Sequence, residues 1–220
     1  KTVVVVGSAG FVGSHLAKLL SRSNQEALLI GKDTNLLSPS LVRDQIFETD
    51  ACVVWLASSV APSSAELNPS VAQSDLDYFS NTIVFLKKRF PNVKIVLASS
   101  GGAIYAEGTP PYSENDPLTT AFAYSKLKVD MEQVLKESGL PHVILRIANA
   151  YGPGQPTGKG QGVLAEWMQA IKNGNSPKLF GSSAVIRDFV HIEDVIQSIW
   201  LALQTKGFNG VINIGSGQPV

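Results

Sequence analysis

TVVVVGSAGFVG, residues 2–13, is the stretch that decides the fold of this chain. Its run of β-branched valines is apolar on both faces, as in a central strand of a parallel sheet. Gly7, Gly10 and Gly13 follow at equal intervals, and a helical pattern continues from residue 14 to about residue 21. A glycine-rich turn between a strand and a helix is the context that predicts dinucleotide binding.

Each of these glycines suits a different part of such a turn. Gly7 permits the tight bend, Gly10 lets the backbone approach a pyrophosphate at the helix N-terminus, and Gly13 permits close packing of helix on strand. The spacing Gly-x-x-Gly-x-x-Gly differs from the commoner Gly-x-Gly-x-x-Gly fingerprint. A plain strand–helix turn that requires glycine is the alternative interpretation.

The patterns that follow alternate between strand and helix. Apolar runs predict strands at residues 27–30, 52–57, 93–97 and 142–147. Helical spacing predicts helices at residues 36–47, 77–89 and 123–138, whereas residues 61–74, with their prolines and small polar residues, are predicted to form a loop. This order predicts an α/β fold, a doubly wound Rossmann-type parallel sheet.

From residue 149 the alternation is less regular. The remaining patterns predict a helix at 163–173, short strands near 178–180 and at 187–192, a helix at 193–204 and a last strand at 211–214. We therefore divide the chain into a dinucleotide-binding Rossmann domain, residues 1–148, and a smaller part, residues 149–220, that is interleaved with the last strands of the sheet.

Composition excludes several classes of function. Eighteen basic residues balance eighteen acidic ones, so nothing indicates a nucleic acid or an anionic membrane as partner. Cys52 is the only cysteine and cannot form an internal disulfide, which fits a cytoplasmic protein. No apolar run approaches the ~20 residues that span a bilayer, and because the chain starts with a strand no signal peptide is expected. The three histidines are too dispersed for a metal site.

Tyr124 and Lys128 are the strongest candidates for catalysis. They are four residues apart in a segment with helical spacing, so their side chains share one face. A tyrosine hydroxyl normally titrates near ~10, and an ammonium beside it is expected to lower that pKa. Such a tyrosine can move a proton on and off an alcohol or carbonyl oxygen. Taken alone, the same pattern also occurs on ordinary amphipathic helices.

The residues after three predicted strands are candidates for ligand binding at the carboxyl edge of the sheet. After the second strand, Lys32 could meet the 2′-phosphate of NADP or be a solvated turn lysine, and Asp33 is the only nearby carboxylate. Small residues at 57–59 would let a cofactor lie across the sheet. The hydroxyls of Ser99 and Ser100 can reach a ligand in the crevice.

Six motifs, in this order, carry a family resemblance that spans nearly the whole chain. They are GSAGFVG at 7–13, SSGGAIY at 99–105, YSKLK at 124–128, LRIANAYGP at 145–153, RDFVHIED at 187–194 and NIG at 213–215. Together they resemble the extended short-chain dehydrogenase/reductase superfamily, specifically its NAD-dependent nucleotide-sugar epimerase/dehydratase group. Each motif alone is weak, and the ordered set is specific.

The resemblance implies a bound NAD, with NADP as the variant, and a UDP- or dTDP-sugar as substrate. It implies that Tyr124 is the general acid/base and that Lys128 binds the nicotinamide ribose and lowers the Tyr124 pKa. The cofactor-binding residues would be Gly7, Gly10, Phe11, Val12, Gly13, Lys32, Asp33, Thr34, Leu56, Ala57, Ser58, Ser99, Tyr124 and Lys128. The substrate-binding residues would be Ser100, Tyr124, Asn149, Val163 and Arg187.

Asn149 and Arg187 would bind the diphosphate, which suits a guanidinium. A structural ion pair between Arg187 and Asp188 is the alternative. The resemblance also implies a homodimer formed through the helices at 77–89 and 124–138. It assigns residues 149–220 to substrate binding, and because relatives continue well beyond the NIG motif this part is expected to be truncated.

The chain departs from the family where a catalytic hydroxyl is expected. Counting back from Tyr105, that position is Gly101, which leaves Ser100, or Ser99, as the hydroxyl that would bond the substrate oxygen. A second family hydroxyl falls at Ala103. The Thr-Asp-Glu triplet of 4,6-dehydratases is replaced by residues GGA at 101–103, which argues against dehydration.

Three functional hypotheses follow. The first is an NAD-dependent 4-epimerase of a nucleotide-diphosphate sugar, which oxidises C4 to a transient ketone and returns the hydride to the other face. The second is an NADP-dependent 4-ketoreductase of a deoxysugar nucleotide, which Lys32 favours. The third is a non-catalytic relative that binds the cofactor, which the missing hydroxyl at Gly101 favours.

Overall fold

The computed structural model describes residues 2–32, 34–37, 51–158, 162–178, 186–218 and 220. Its helices and strands follow one another as β1 (Val3–Val6), α1 (Phe11–Arg22), β2 (Ala27–Ile30), β3 (Cys52–Trp55), α2 (Pro69–Arg89), β4 (Lys94–Ser100), α3 (Ala123–Ser138), β5 (His142–Ile147), β6 (Asn149–Tyr151), α4 (Val163–Lys172), β7 (Phe189–His191), α5 (Ile192–Gln204) and β8 (Gly210–Ile214).

The main sheet has the strand order β2-β1-β3-β4-β5-β8, and every neighbouring pair is parallel. The order reverses at β1, because the chain runs outward to β2 and returns to β3 on the other side. Such a reversal opens a crevice at the carboxyl ends of the strands, where doubly wound proteins bind ligands. The predicted doubly wound parallel sheet is confirmed. β6 and β7 form a separate parallel pair.

Both faces of the sheet are covered by helices, which explains the unbroken valine run of β1. Val4 and Val6 pack in a core that includes residues of α2 and α3, whereas Val3 and Val5 pack in a second core with α1 and α5. Each side chain is almost fully buried, which contributes about 1.5–3 kcal/mol per valine. No helix in the described ranges is long and apolar enough to cross a membrane.

Several element boundaries differ from the predicted ones. α2 begins at Pro69 rather than at residue 77, because a proline fits the first helical position as well as a loop. α1 begins inside the glycine motif, at Phe11, and Ile192 starts α5 rather than ending a strand. Most of the helix predicted at 36–47 and most of the strand predicted near 178–180 lie outside the described residues.

A buried polar cluster fixes α3 on the sheet. Glu132 of α3 accepts hydrogen bonds from Arg146 Nη2 at 2.8 Å and Nε at 3.1 Å, and from Ser99 Oγ at 2.6 Å. Side-chain exposure is 1% for Glu132 and 2% for Arg146. The cluster fixes the register of α3 against β4 and β5, and therefore the position of Tyr124 and Lys128.

The electrostatics of Glu132 reflect these contacts. Burial by itself raises the pKa of this carboxyl. Hydrogen bonds from Arg146 and Ser99, together with the charges of Arg146 and Lys136, outweigh burial, so the pKa lies below its ordinary value. Glu132 is therefore ionised at neutral pH, and its charge balances the guanidinium of Arg146.

We expect Glu132→Gln to lower the free energy of unfolding by about 3–5 kcal/mol at pH 7, because Arg146 would keep a buried charge without its counter-charge. Urea denaturation measures this loss. Glu137→Gln, at an exposed position of the same helix, should stay within about 0.5 kcal/mol of wild type.

The contribution of Glu132 to the free energy of unfolding should decrease as the pH falls. Because the Glu132 pKa is lowered in the folded state, its contribution is present above the unfolded pKa and is lost as pH falls through the folded pKa. The Glu132→Gln variant should lack that part of the acid sensitivity. Equal losses in the two glutamine variants would contradict the role of the cluster.

Candidate active site

The turn between β1 and α1 lies at the reversal of strand order. Gly7 has φ +92°, and a Cβ there would lie 2.7 Å from the backbone nitrogen of Ala57. At Gly13 a Cβ would lie 2.8 Å from Ser8 Cα and closer still to Gly7 O. Both positions therefore require glycine for packing, since side chains do not fit against backbone at these distances.

Gly10 has a different environment. A Cβ there would meet only Gly7 O, at 3.4 Å, so the surface above it is open. Gly10 is also the N-cap of α1, and no side chain of the described residues caps the first N–H groups of the helix. Free N–H donors at a helix N-terminus, with room for a ligand to approach the backbone, fit the pyrophosphate of NAD. Phe11 and Val12, the first residues of α1, pack partly buried on the core beneath.

The segment after β3 forms the other side of the crevice. The nitrogen of Leu56 donates to Val6 O at 2.8 Å, and Ala57 directly contacts the Gly7 turn. Ser58 Oγ donates to Val60 O, so this hydroxyl stabilises its own turn. The structure thus brings the predicted residues 56–58 beside the glycine turn. Their contact with a cofactor stays a prediction.

Asp75 of α2 holds this segment in place and was missed in the sequence. Its carboxylate accepts from Ser59 N at 2.6 Å and from Ser59 Oγ at 2.7 Å. The contact joins two residues that flank the segment predicted as loop, 16 positions apart, so no periodic pattern marked it.

The turn after β2 carries the residues that are predicted to contact the adenine half of the cofactor. Lys32 is exposed directly after the strand, and Thr34 N donates to Gly31 O at 3.4 Å in a turn. Asp33 lies outside the described residues. The predicted contacts of Lys32 and Thr34 with the adenine half of the cofactor stay predictions.

α3 brings Tyr124 and Lys128 together, as their spacing predicts. The helix begins at Ala123 because Glu66 accepts a hydrogen bond from Ala123 N and Ser125 Oγ donates to Phe122 O. Lys128 Nζ lies 5.8 Å from the centre of the Tyr124 ring and donates to Ala98 O at 3.2 Å. Lys128 is buried and Tyr124 partly so.

The expected electrostatic effect of this pair is wrong in direction. Burial raises the pKa of Tyr124 to about 12 and lowers the pKa of Lys128 to about 8. For Lys128, the charges of Asp75 and Glu132 act against burial and favour the ammonium. Desolvation thus outweighs the attraction that was expected to lower the Tyr124 pKa, and at neutral pH this tyrosine keeps its proton.

The two candidate serines have different environments. Ser99 Oγ is committed to Glu132, so its hydroxyl is structural. Ser100 is half-buried at the end of β4, where strand alternation places its side chain on the face away from α3. The described part of the chain offers its hydroxyl no hydrogen-bond partner. The role of Ser100 beside Tyr124 stays a prediction, and this placement does not favour it.

Gly101 has no room for a side chain. A Cβ there would lie 2.9 Å from Arg146 O and 3.3 Å from Ala148 N, because Gly101 continues from β4 alongside the end of β5. Gly101 N also donates to Ile147 O at 2.7 Å. The position at which the resemblance expects a hydroxyl is thus packed against β5.

The substrate-side candidates surround the β6–β7 pair. Asn149 Nδ2 donates to Asp188 O at 2.9 Å, and the same side chain lies against Gly102. Arg187 is exposed, and its Nη1 donates to Ile186 O. Val163 is half-buried at the start of α4. Diphosphate or sugar binding by these residues stays a prediction.

The alternative Arg187–Asp188 ion pair does not form among the described residues. The Asp188 carboxylate instead accepts from Ser216 N and Oγ, both at 2.8 Å, and from Gly217 N at 3.0 Å. Burial raises the Asp188 pKa, but these hydrogen bonds outweigh it and lower the pKa. Asp188 thus stabilises the turn after β8.

His15 is a second residue whose role the sequence did not reveal. Its Nε2–H donates to Pro153 O at 2.9 Å, because a carbonyl can only accept. The ring also packs edge-on against Phe11, with centroids 5.6 Å apart. His15 thus attaches the loop that follows β6 to the helix of the glycine turn.

Alanine substitutions distinguish Gly10, which faces open space, from Gly13, which packs against backbone. Gly10→Ala should change the free energy of unfolding by less than about 1 kcal/mol, yet weaken NAD binding by about tenfold or more, since the new methyl lies where a pyrophosphate would approach. Gly13→Ala should destabilise the protein by about 1–3 kcal/mol through overpacking. Urea denaturation and calorimetric titration with NAD measure both effects. Wild-type NAD affinity in Gly10→Ala would contradict this site.

The pKa of Lys128 can be measured directly. In an NMR titration of ¹³C-labelled lysine side chains, Lys128 should titrate near pH 8, well below the ordinary lysine pKa of ~10.4. The ammonium is present below that pH and is lost above it, so NAD affinity should fall as pH rises through 8.

A matched pair of variants tests this assignment. Lys128→Met should remove both the resonance and the pH dependence of NAD affinity, whereas Lys126→Met, an exposed lysine on the same helix, should change neither. A Lys128 titration at the ordinary lysine value would contradict the effect of burial.

Known proteins resemble this chain over most or all of its length. A UDP-glucose 4-epimerase of Mycolicibacterium smegmatis is 28% identical over 97% of this chain and 77% of its own. A dTDP-4-dehydro-6-deoxyglucose reductase of Escherichia coli is 32% identical over 76% of this chain and 54% of its own. The structure of Thermus thermophilus UDP-glucose 4-epimerase in complex with NAD superimposes with a TM-score of 0.82 at 26% identity, over 100% of this chain and 79% of that one.

The region that matches a known family contains nearly every helix and strand of the structure. Residues 3–215 match a single family, which confirms the predicted resemblance and the predicted use of NAD. The chain belongs to the NAD dependent epimerase/dehydratase family.

Proposed function

We propose that this protein is an NAD-dependent 4-epimerase of a nucleotide-diphosphate sugar. The observation that carries the proposal is the Tyr124–Lys128 pair of α3, held near the carboxyl edge of a sheet whose glycine turn fits a pyrophosphate. Relatives that span most of this chain are named as UDP-glucose 4-epimerases, which supports a nucleotide sugar as substrate.

Cofactor binding would use the open N-terminus of α1 above Gly10 and the segment 56–58 beside it. Lys128, charged at neutral pH, would hold the nicotinamide ribose with its ammonium. Bound NAD supplies an acceptor that can take a hydride from the sugar and give it back. The chain's own contribution is then to place the sugar and to move one proton at its C4 oxygen.

Tyr124 would move that proton. With its pKa raised, its hydroxyl is protonated at neutral pH and can donate to the oxygen of a 4-keto sugar. The reverse step, removal of the proton from the C4 hydroxyl, needs the phenolate, and the ammonium of Lys128 is the charge nearby that stabilises it. Epimerisation requires both steps, with the keto sugar turned between them.

Recognition of the nucleotide would fall to the substrate part, residues 149–220. The exposed guanidinium of Arg187 suits a diphosphate, and the amide of Asn149 lies between the β6–β7 pair and the loop that follows β4. No acid is available at 101–103 for the chemistry of a 4,6-dehydratase, so dehydration is not proposed.

An NADP-dependent 4-ketoreductase of a dTDP- or UDP-deoxysugar is the second candidate. Two observations favour it. A tyrosine that keeps its proton is suited to protonate a ketone, and Lys32 is exposed after β2, where a 2′-phosphate would lie. The Escherichia coli reductase is also among the relatives.

A cytoplasmic homodimer that pairs through α2 and α3 completes the proposal. Val84 of α2 is 67% exposed, which leaves apolar surface on a helix face available to a second copy.

One assay separates the two candidates. The protein is incubated with UDP-glucose, UDP-N-acetylglucosamine and a dTDP-4-keto sugar, with and without NADPH. Interconversion of C4 epimers without loss of NADPH supports the epimerase, and stoichiometric loss of NADPH supports the reductase. Tight NAD binding without either reaction would support the non-catalytic alternative.

Tyr124→Phe tests the acid/base role in either reaction. We expect turnover to fall by about 10²–10⁴-fold, because the phenyl ring cannot transfer a proton, while NAD affinity stays at the wild-type value. Steady-state kinetics and calorimetry measure the two quantities. An unchanged rate would remove Tyr124 from the mechanism, and a parallel loss of NAD binding would indicate a structural role.

A further inference from the structure

The segment between β4 and α3, residues 101–122, is attached to the sheet by several hydrogen bonds, and the hydroxyl of Tyr105 takes part in two of them. Tyr105 OH donates to Asn213 Oδ1 of β8 and accepts from Arg146 Nη1 of β5 at 3.0 Å. Arg146 and Asn213 are paired in register, so they hold the hydroxyl from two adjacent strands. The guanidinium also lies 5.2 Å from the centre of the Tyr105 ring.

Further contacts extend this attachment to the tip of the segment. Asn213 Nδ2 donates to Tyr112 O at 3.0 Å, Asn213 N donates to Glu114 Oε1 at 2.8 Å, and Arg146 Nη1 donates to Glu114 O at 2.9 Å. The ring of Tyr112 stacks on that of Tyr105, with centroids 4.9 Å apart. The hydrogen bond from Asn213 is the main reason that the Glu114 pKa is lowered.

The base of the segment is closed by backbone pairing. Tyr105 and Leu118 form an antiparallel bridge, Ala106 N donates to Pro117 O at 2.9 Å, and Thr119 N donates to Ile104 O at 2.8 Å. Tyr105 therefore lies where the two arms of the segment join. A contact at this point restrains both arms together.

Both arms lead directly to candidate site residues. The first continues from Ser100 through Gly101 and Gly102, which lies against the Asn149 side chain. The second leads into Ala123 and Tyr124. Displacement of the segment would thus alter the distance between the proton-transfer residue and the substrate side of the crevice.

We propose that Tyr105 is a positioning residue: its hydroxyl, clamped by Arg146 and Asn213, fixes residues 101–122 so that Tyr124 meets the sugar oxygen. This proposal rests on the proposed function. Tyr105 does not touch the reacting atoms, because its hydroxyl is engaged by the sheet. Its loss should lower kcat, since small displacements of reacting groups are costly, and should leave NAD affinity unchanged.

The chain offers a matched pair of variants. Tyr105→Phe removes the clamped hydroxyl and keeps the ring stack. Tyr112→Phe removes a hydroxyl whose one hydrogen bond among the described residues is to Gly108 O, within the segment itself. We expect Tyr105→Phe to lower kcat by about tenfold and to speed amide exchange at Ala106 and Thr119 by about tenfold. Tyr112→Phe should change neither quantity.

A double variant tests whether the hydroxyl acts through Asn213. Because Tyr105→Phe and Asn213→Ala break a shared contact, their combination should lower kcat by less than the product of the two single losses, and the bond from Arg146 is what Tyr105→Phe still removes in the Asn213→Ala background. Independent, multiplicative losses would overturn the clamp. Melting temperature and far-UV circular dichroism verify that each variant is folded.

The amide-exchange and kcat results for Tyr105→Phe test the positioning role separately from the proposed epimerase function. Unchanged amide exchange in Tyr105→Phe would overturn the clamp, and faster exchange with an unchanged kcat would overturn the positioning role. If the wild type turns over none of the sugar nucleotides, the proposed function and the positioning role fall together, and the exchange comparison still decides whether Tyr105 clamps the segment.

Discussion

The ion pair between Glu132 and Arg146 is the contact on which the arrangement of the site depends. Ser99, Arg146 and Asn213 lie in one row across β4, β5 and β8, and the Glu132 carboxylate reaches this row from α3. The planar guanidinium of Arg146 donates in two directions. Its Nε and Nη2 donate to Glu132 of α3, and its Nη1 donates to Tyr105 in the segment after β4. A buried ion pair adds little net stability over apolar side chains of equal volume. Its donors, however, have fixed directions, which an apolar pair lacks.

Burial acts on Tyr124 and Lys128 in opposite senses because it disfavours the charged form of each. It raises the pKa of the phenol and lowers that of the ammonium, so both groups move toward neutrality. Asp75 and Glu132 partly restore the charge of Lys128 from α2 and α3. Asp75 also holds the turn at Ser59, and Glu132 holds Arg146. The residues that fix the walls of the crevice therefore also set its electrostatics.

Local patterns in the sequence were sufficient to predict the fold and the proximity of Tyr124 and Lys128. The valine run, the glycine spacing and the Tyr124–Lys128 spacing each act over a few residues. The structure makes the valine run a central strand and places the glycine turn directly after it, at the carboxyl edge of the sheet. The direction of the pKa shifts could not be predicted, because it depends on burial by distant elements. Asp75, His15 and the partner of Asp188 were missed for the same reason: each contact joins residues that no periodicity connects.

The packing of Gly101 limits how this site can change. A single substitution cannot introduce a side chain at Gly101, since any Cβ there meets the carbonyl oxygen of Arg146. That carbonyl belongs to the residue whose guanidinium holds α3 and the segment after β4. A hydroxyl could be restored at this position only together with a shift of β5, which would disturb the ion pair. Descendants of this chain could therefore acquire that hydroxyl only through several substitutions together. A single substitution at residue 101 is not tolerated while the β5 backbone stays in place.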